Sequence, residues 1–153
     1  MKKSSEWKSF EERVIRDARS REVVLFKMPE SFKNVYSKAK TIQKKTPFDC
    51  FGSIDGRAIY FDCKTIQENK VLLSSTVFHK KKIHQWTNLK YCKELGGIAG
   101  YLIYFYMEER ICWLSVDKVV EKVKLGEKSI YPSEMPSQAG NQLIDLRGLL
   151  SER

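Results

Sequence analysis

The spacing of apolar and polar positions changes several times along this chain, and each change marks an element. Near the start, Trp7, Phe10, Val14 and Ile15 recur at helical spacing, which predicts a helix capped by Ser4 or Ser5 and running to about Ala18. Glu11 sits beside that apolar stripe, where its carboxylate either turns inward or stays on a solvated face. Residues 21–28 read as a strand ended by Pro29. Residues 51–54 and 57–61 alternate on either side of Asp55-Gly56, the kind of dipeptide that most strongly marks a tight hairpin. Ser74, Ser75 and Thr76 offer caps for one long helix to about Leu95, stopped by Gly96-Gly97, with Phe78, Trp86, Leu89 and Cys92 on its inward stripe. Residues 98–106 form a nearly continuous apolar run of strand character that turns through 107–110 into 111–114, a second hairpin. A short helix over 116–123, a bend around Pro132 and Pro136, and the apolar segment 143–146 follow. This order predicts a single α/β domain with a mixed central β-sheet flanked by helices.

The first hairpin carries the most pointed chemistry. With Asp55-Gly56 as a two-residue turn, Ile54 faces Arg57, and continuing the register places Asp49 opposite Asp62. Side chains alternate along a strand, so Tyr60, Asp62 and Lys64 share a face with Asp49 while Ile59, Phe61 and Cys63 point the other way. Opposed residues have Cβ atoms roughly 5 Å apart, and like charges placed there repel. A hard divalent cation such as Mg²⁺ offsets that repulsion, binding through one or two carboxylates and filling its other positions with water and phosphate oxygens. Lys64 then aims an ammonium at the same spot, where it stabilises charge developing on a phosphate. The plain alternative is surface chemistry: Asp-x-Lys is common on exposed strands, and a one-residue slip sends Asp49 to the wrong face.

Composition narrows the partner. The chain has 153 residues, 42% of them hydrophobic, which suits one core, and its 28 Lys+Arg against 19 Asp+Glu leave +9, a surplus that suits a polyanion. Between residues 30 and 47 apolar periodicity fades and Lys33, Lys38, Lys40, Lys44 and Lys45 accumulate, which marks either a projecting phosphate-contacting segment or a solubilising loop. His79, Lys80 and Lys81 make a second basic cluster, and on the long predicted helix Lys82 and Gln85 fall inside the inward stripe. Cys50, Cys63, Cys92 and Cys112 lack paired-ligand spacing and read as small buried hydrophobes. No apolar run reaches membrane-spanning length, and the N-terminal residues lack a signal-peptide core, so the expectation is a cytoplasmic protein with no membrane partner.

Taken in order, Glu11, the run Thr46-Pro47-Phe48-Asp49-Cys50-Phe51-Gly52, the run Tyr60-Phe61-Asp62-Cys63-Lys64, His84-Gln85 on a lysine-rich helix and the strand Tyr101-Leu102-Ile103-Tyr104-Phe105 resemble the PD-(D/E)xK nuclease superfamily. Within it the chain is most similar to RecU-type Holliday junction resolvases of Gram-positive bacteria and their phages. The resemblance runs from about Phe10 to Leu149 and implies a restriction-endonuclease-like fold. It implies that Asp49 and Asp62 bind Mg²⁺, with Mn²⁺ a possible substitute, that Lys64 positions or activates the attacking water, and that Glu11 assists. It implies a homodimer making paired nicks in four-way DNA and a stalk formed by about 30–47 carrying Lys38, Lys40, Lys44 and Lys45, while charge and position on the predicted helix make His79, Lys81, Lys82 and Gln85 the further expected DNA contacts. Asp62 stands where the family usually has Glu, and the stalk-like segment is short. A restriction or repair nuclease of the same superfamily and a catalytically silent DNA-binding protein remain the alternatives.

Overall fold

The computed structural model describes residues 3–29 and 46–151. The Trp7 side chain and the stalk-like segment with Lys38, Lys40, Lys44 and Lys45 lie outside the described residues. Helix α1 (Lys3–Ser20) leads into strand β1 (Val24–Lys27), and the hairpin of β2 (Cys50–Ile54) and β3 (Arg57–Ile66) follows. Asp55 and Gly56 both take positive φ, 49° and 80°, as a two-residue turn matched to strand twist requires. The chain continues through β4 (Val71–Leu72), the single turn α2 (Leu73–Thr76), α3 (Ile83–Glu94), β5 (Ile98–Phe105), β6 (Arg110–Ser115), α4 (Val116–Lys124), β7 (Ser129–Ile130), β8 (Ser137–Ala139) and α5 (Leu146–Ser151).

Six strands form one sheet in the order β1-β2-β3-β5-β6-β8, and β4 with β7 makes a small separate ribbon. Neighbours in the large sheet run antiparallel except β3 and β5, whose parallel register sets Asp62 beside Tyr101 and Lys64 beside Ile103. Alternation sorts the side chains into two cores. Ile59, Phe61 and Cys63 of β3 pack with Phe10 and Val14 of α1 and Leu146 and Leu149 of α5. Tyr101, Ile103 and Phe105 of β5 pack on the other face with Leu89 of α3 and Val119 of α4. Asp17, 1% exposed, accepts a 3.0 Å bond from the Ile144 N–H and ties α1 to the C-terminal segment.

The hairpin register agrees with the sequence expectation, from Ile54 opposite Arg57 to Cys50 opposite Phe61. Three expectations need correction. Helix α1 begins by Lys3, so Ser4 and Ser5 lie inside it instead of capping it. The long helix from Ser74 is two helices: α2 ends at Thr76, Ser74 to Thr76 lie within it, and residues 77–82 form a turn before α3. The His79 ring there accepts the Lys81 N–H at 3.1 Å, and the Phe78 N–H reaches back five residues to the Leu73 carbonyl instead of four, bonds that take the place of a continued helix. Lys82 is therefore the residue before α3, not a member of an inward stripe, and its Nζ bonds the Ser75 carbonyl. Lastly, the C-terminal segment contains β8 and α5, which the apolar pattern did not indicate.

Candidate active site

Where the hairpin leaves the sheet, β2 stops one residue short of Asp49, and its side chain takes over from the backbone. Asp49 Oδ2 accepts the Cys63 N–H at 2.9 Å while its own carbonyl accepts the Met28 N–H at 2.7 Å. That double anchorage fixes Asp49 against Asp62, the neighbour its register predicts. Asp62 is 1% exposed, and Lys64 Nζ lies 2.8 Å from its Oδ2. Lys64 Nζ also donates to Gln85 Oε1 at 2.7 Å, so the ammonium bridges β3 and α3. Glu11 is buried on α1 at 2% exposure, close enough for its charge to act on Asp49. Glu11 of α1, Asp62 and Lys64 of β3, Gln85 of α3 and Asp49 just before β2 thus converge.

Acid outweighs base at this spot. Burial first, then the charge of Asp62 and a hydrogen bond with it, then the charge of Glu11, push the Asp49 carboxyl up to about 9, against a smaller opposing effect from the Cys63 N–H. Without a cation, Asp49 therefore keeps a proton at neutral pH. Asp62 shares that proton with Asp49 and faces the Lys64 ammonium at 2.8 Å, the one cation within ion-pair distance of it among the described residues. Buried carboxylates that outnumber the ammonium beside them, one of which must hold a proton, fit a hard cation. No group of three or more His, Cys, Asp and Glu side chains suited to a metal ion occurs among the described residues. Two aspartates are enough for a hard divalent cation that completes its shell with water and phosphate.

His79 and Lys81 are exposed on the turn before α3, and Lys82 is half-buried beside them. Gln85 is an inner residue, as its spacing indicated, and it engages Lys64. Two features escaped the sequence reading. Arg16 and Arg19, one turn apart on α1, and Lys27 of β1 join Glu11, Glu12 and Ile15 around a groove of about 450 Å³ whose lining is of mixed charge. Tyr101, fully buried beside Asp62, is hidden within an apolar run, and only the parallel pairing of β3 with β5 reveals its neighbour.

The mixed six-stranded sheet flanked by helices, with acidic residues and a lysine at the β2–β3 hairpin, defines a single α/β domain of restriction-endonuclease-like fold. The family model described as Recombination protein U matches residues 19–147, and the chain belongs to that RecU family. The structure is similar to that of Hjc, a Holliday junction resolvase from Archaeoglobus fulgidus, with a TM-score of 0.51 and 14% sequence identity, over 84% of this chain and 89% of that one. A search of curated proteins gave no match.

Proposed function

We propose that this protein is a divalent-metal-dependent endonuclease that resolves four-way DNA junctions by paired symmetric nicks. The observation that carries the reading is the buried Asp49–Asp62 pair with Lys64 against it, on a RecU-family chain. Hjc, with a similar fold, is a Holliday junction resolvase.

Asp49 and Asp62 hold the cation, with Mg²⁺ the expected ion and Mn²⁺ a substitute. When bound, it supplies charge stabilisation at the scissile phosphate and activation of the attacking water. Lys64 stabilises the negative charge that develops on the phosphate, and the low local dielectric strengthens that interaction. Gln85, through its 2.7 Å bond, fixes the Lys64 ammonium from the α3 side, so that its direction does not rest on the Asp62 contact alone. Glu11 adds a third carboxylate that orients water at the site. His79, Lys81 and Lys82 contact phosphates from the turn before α3, and Lys38, Lys40, Lys44 and Lys45 do so from the stalk-like segment. Two nicks need two sites, which a two-fold homodimer supplies. The enzyme works on DNA in the cytoplasm.

The test is nicking of a synthetic mobile four-way junction against a linear duplex of the same sequence, with Mg²⁺ and with chelator. The parent cuts the junction preferentially and only with metal, while Lys64→Ala and Asp49→Ala each slow cutting by about 100-fold or more. Parental rates in both variants would remove these residues from the chemistry. Equal cutting of the duplex would point to a restriction or repair type of nuclease, and salt-sensitive binding without cutting to a silent DNA-binding protein.

A further inference from the structure

Tyr101 is fully buried, and its ring belongs to the apolar cluster that contains Leu89, Ile103 and Leu114. Its hydroxyl finds no hydrogen-bond partner among the described residues. A buried O–H left unpaired is costly and uncommon in folded proteins, and phenylalanine would fill the same space without that cost. The register of β3 against β5 makes Tyr101 the direct neighbour of Asp62, on the same face of the sheet. Asp62 accepts from the Lys64 ammonium at Oδ2 and shares the Asp49 proton, which leaves lone pairs on its carboxylate unused. A donor without an acceptor therefore sits beside a carboxylate with accepting capacity to spare.

We propose that Tyr101 is a positioning residue for the metal site: its hydroxyl donates to the Asp62 carboxylate, directly or through one buried water, and fixes which oxygen is presented to the cation. The inference rests on the proposed function and deepens it. Lys64 approaches Oδ2 from within β3, and Tyr101 supplies the neighbouring-strand constraint. Outer groups that orient a metal-binding carboxylate commonly change affinity or activity by 10- to 100-fold when removed.

The test is Tyr101→Phe, measured by calorimetric Mn²⁺ titration, by the melting temperature with and without Mn²⁺, and by single-turnover junction cutting. We expect the metal-free melting temperature to be equal to the parent's or higher, Mn²⁺ affinity to fall about 10-fold with a smaller Mn²⁺-induced rise in melting temperature, and the cutting rate to fall while junction affinity in Ca²⁺ stays parental. A residue that only fills the core leaves Mn²⁺ affinity and cutting unchanged, and that result overturns the inference. Asp62→Asn, run alongside, separates the two levels of the reading. If it binds Mn²⁺ and cuts like the parent, the proposed function itself has failed; if it loses both while Tyr101→Phe behaves as the parent, only the role of Tyr101 has failed.

Discussion

Lys122 and Asp62 are both charged side chains buried in this fold, at 4% and 1% exposure, yet their surroundings differ in kind. The Lys122 ammonium on α4 is met by Glu127 and Glu134, which come from the segment that α4 leads into. Those carboxylates are 48% and 30% exposed, so water shares the charge that the lysine leaves over. Its hydrogen bonds to Glu127 and Glu134 raise the Lys122 ammonium, and the Lys122 bond lowers the Glu134 carboxyl, as expected of a satisfied ion cluster. At Asp62, by contrast, Glu11, Asp49 and Asp62 gather around Lys64, and Asp49 must take a proton for the group to exist without a cation. One cluster is closed by its own chain and fastens the α4–β8 segment. The other is left open, which is the condition for binding something from outside.

The largest effect expected from that difference concerns Asp49. Its folded-state pKa lies above the unfolded value of 3.8, at about 9, so the native protein retains a proton that the unfolded chain releases. Metal-free stability therefore falls as pH rises from about 4 toward 9, because the native state binds more protons throughout that window. A cation displaces the proton, so the melting-temperature rise caused by Mg²⁺ should be larger at pH 8 than at pH 5.5. Asp49→Asn should stabilise the metal-free protein at pH 8 by about 1–3 kcal/mol, well below the full linkage value because partial solvent access screens the pair. The same variant should lose most of the Mg²⁺ response. Thermal melts across pH, with and without metal, check both signs, and a Mg²⁺ response that shrinks with rising pH would make the Asp49 cluster as closed as that of Lys122.

How much of this contrast is visible in the sequence depends on whether the decisive contact is local. Asp55-Gly56 fixes the turn, and a two-residue turn fixes every pair above it, so the Asp49–Asp62–Lys64 grouping follows from the chain alone. The position of Gln85 also followed, although for a partly mistaken reason: the predicted long helix breaks at 77–82, and α3 alone carries Gln85 to Lys64. The parallel pairing of β3 with β5 joins residues about forty positions apart and leaves no local mark, which is why Tyr101 read only as core. Helix α5 was masked because Gly148 dilutes its pattern, whereas the cap is plain in the fold: Asp145 Oδ1 accepts the Gly148 N–H at 3.1 Å. Strand β8, Ser137–Ala139, is too short and polar to announce itself and is held by the pairing of Cys112 with Ser137.

A smaller effect is expected at Gln85. Gln85→Ala removes the acceptor at 2.7 Å from Lys64 Nζ and leaves the ammonium held by its 2.8 Å contact with Asp62 alone. Charge is retained and only its position changes, so junction cutting should slow by about 10-fold, less than for Lys64→Ala. Gln85→Glu should be worse than Gln85→Ala, since a fourth carboxylate would draw Lys64 away and deepen the acidic excess. Single-turnover rates at saturating protein separate the three variants, and a Gln85→Ala rate equal to the parent's would show that Lys64 needs no support from α3.

The smallest effect belongs to the closed cluster. Lys122→Met keeps an unbranched stem of similar length among Val116 and Val119, the other buried residues of α4, and removes the charge. Breaking a buried pair is severe when the partner stays buried and unpaired, but Glu127 and Glu134 can each return to water. The melting temperature should therefore fall by only a few degrees near neutral pH. That loss should shrink below about pH 4.5, because the lowered Glu134 carboxyl contributes stability only above its unfolded value and loses it as pH drops through the folded one. It should also shrink at high pH, since the raised Lys122 ammonium contributes below its unfolded value of 10.5 and that contribution is lost as pH rises through the folded one. Junction cutting and the Mg²⁺ response should match the parent. A variant that melts normally yet cuts 10-fold more slowly would mean that Lys122 communicates with the metal site, and the separation between a closed and an open cluster would have to be abandoned.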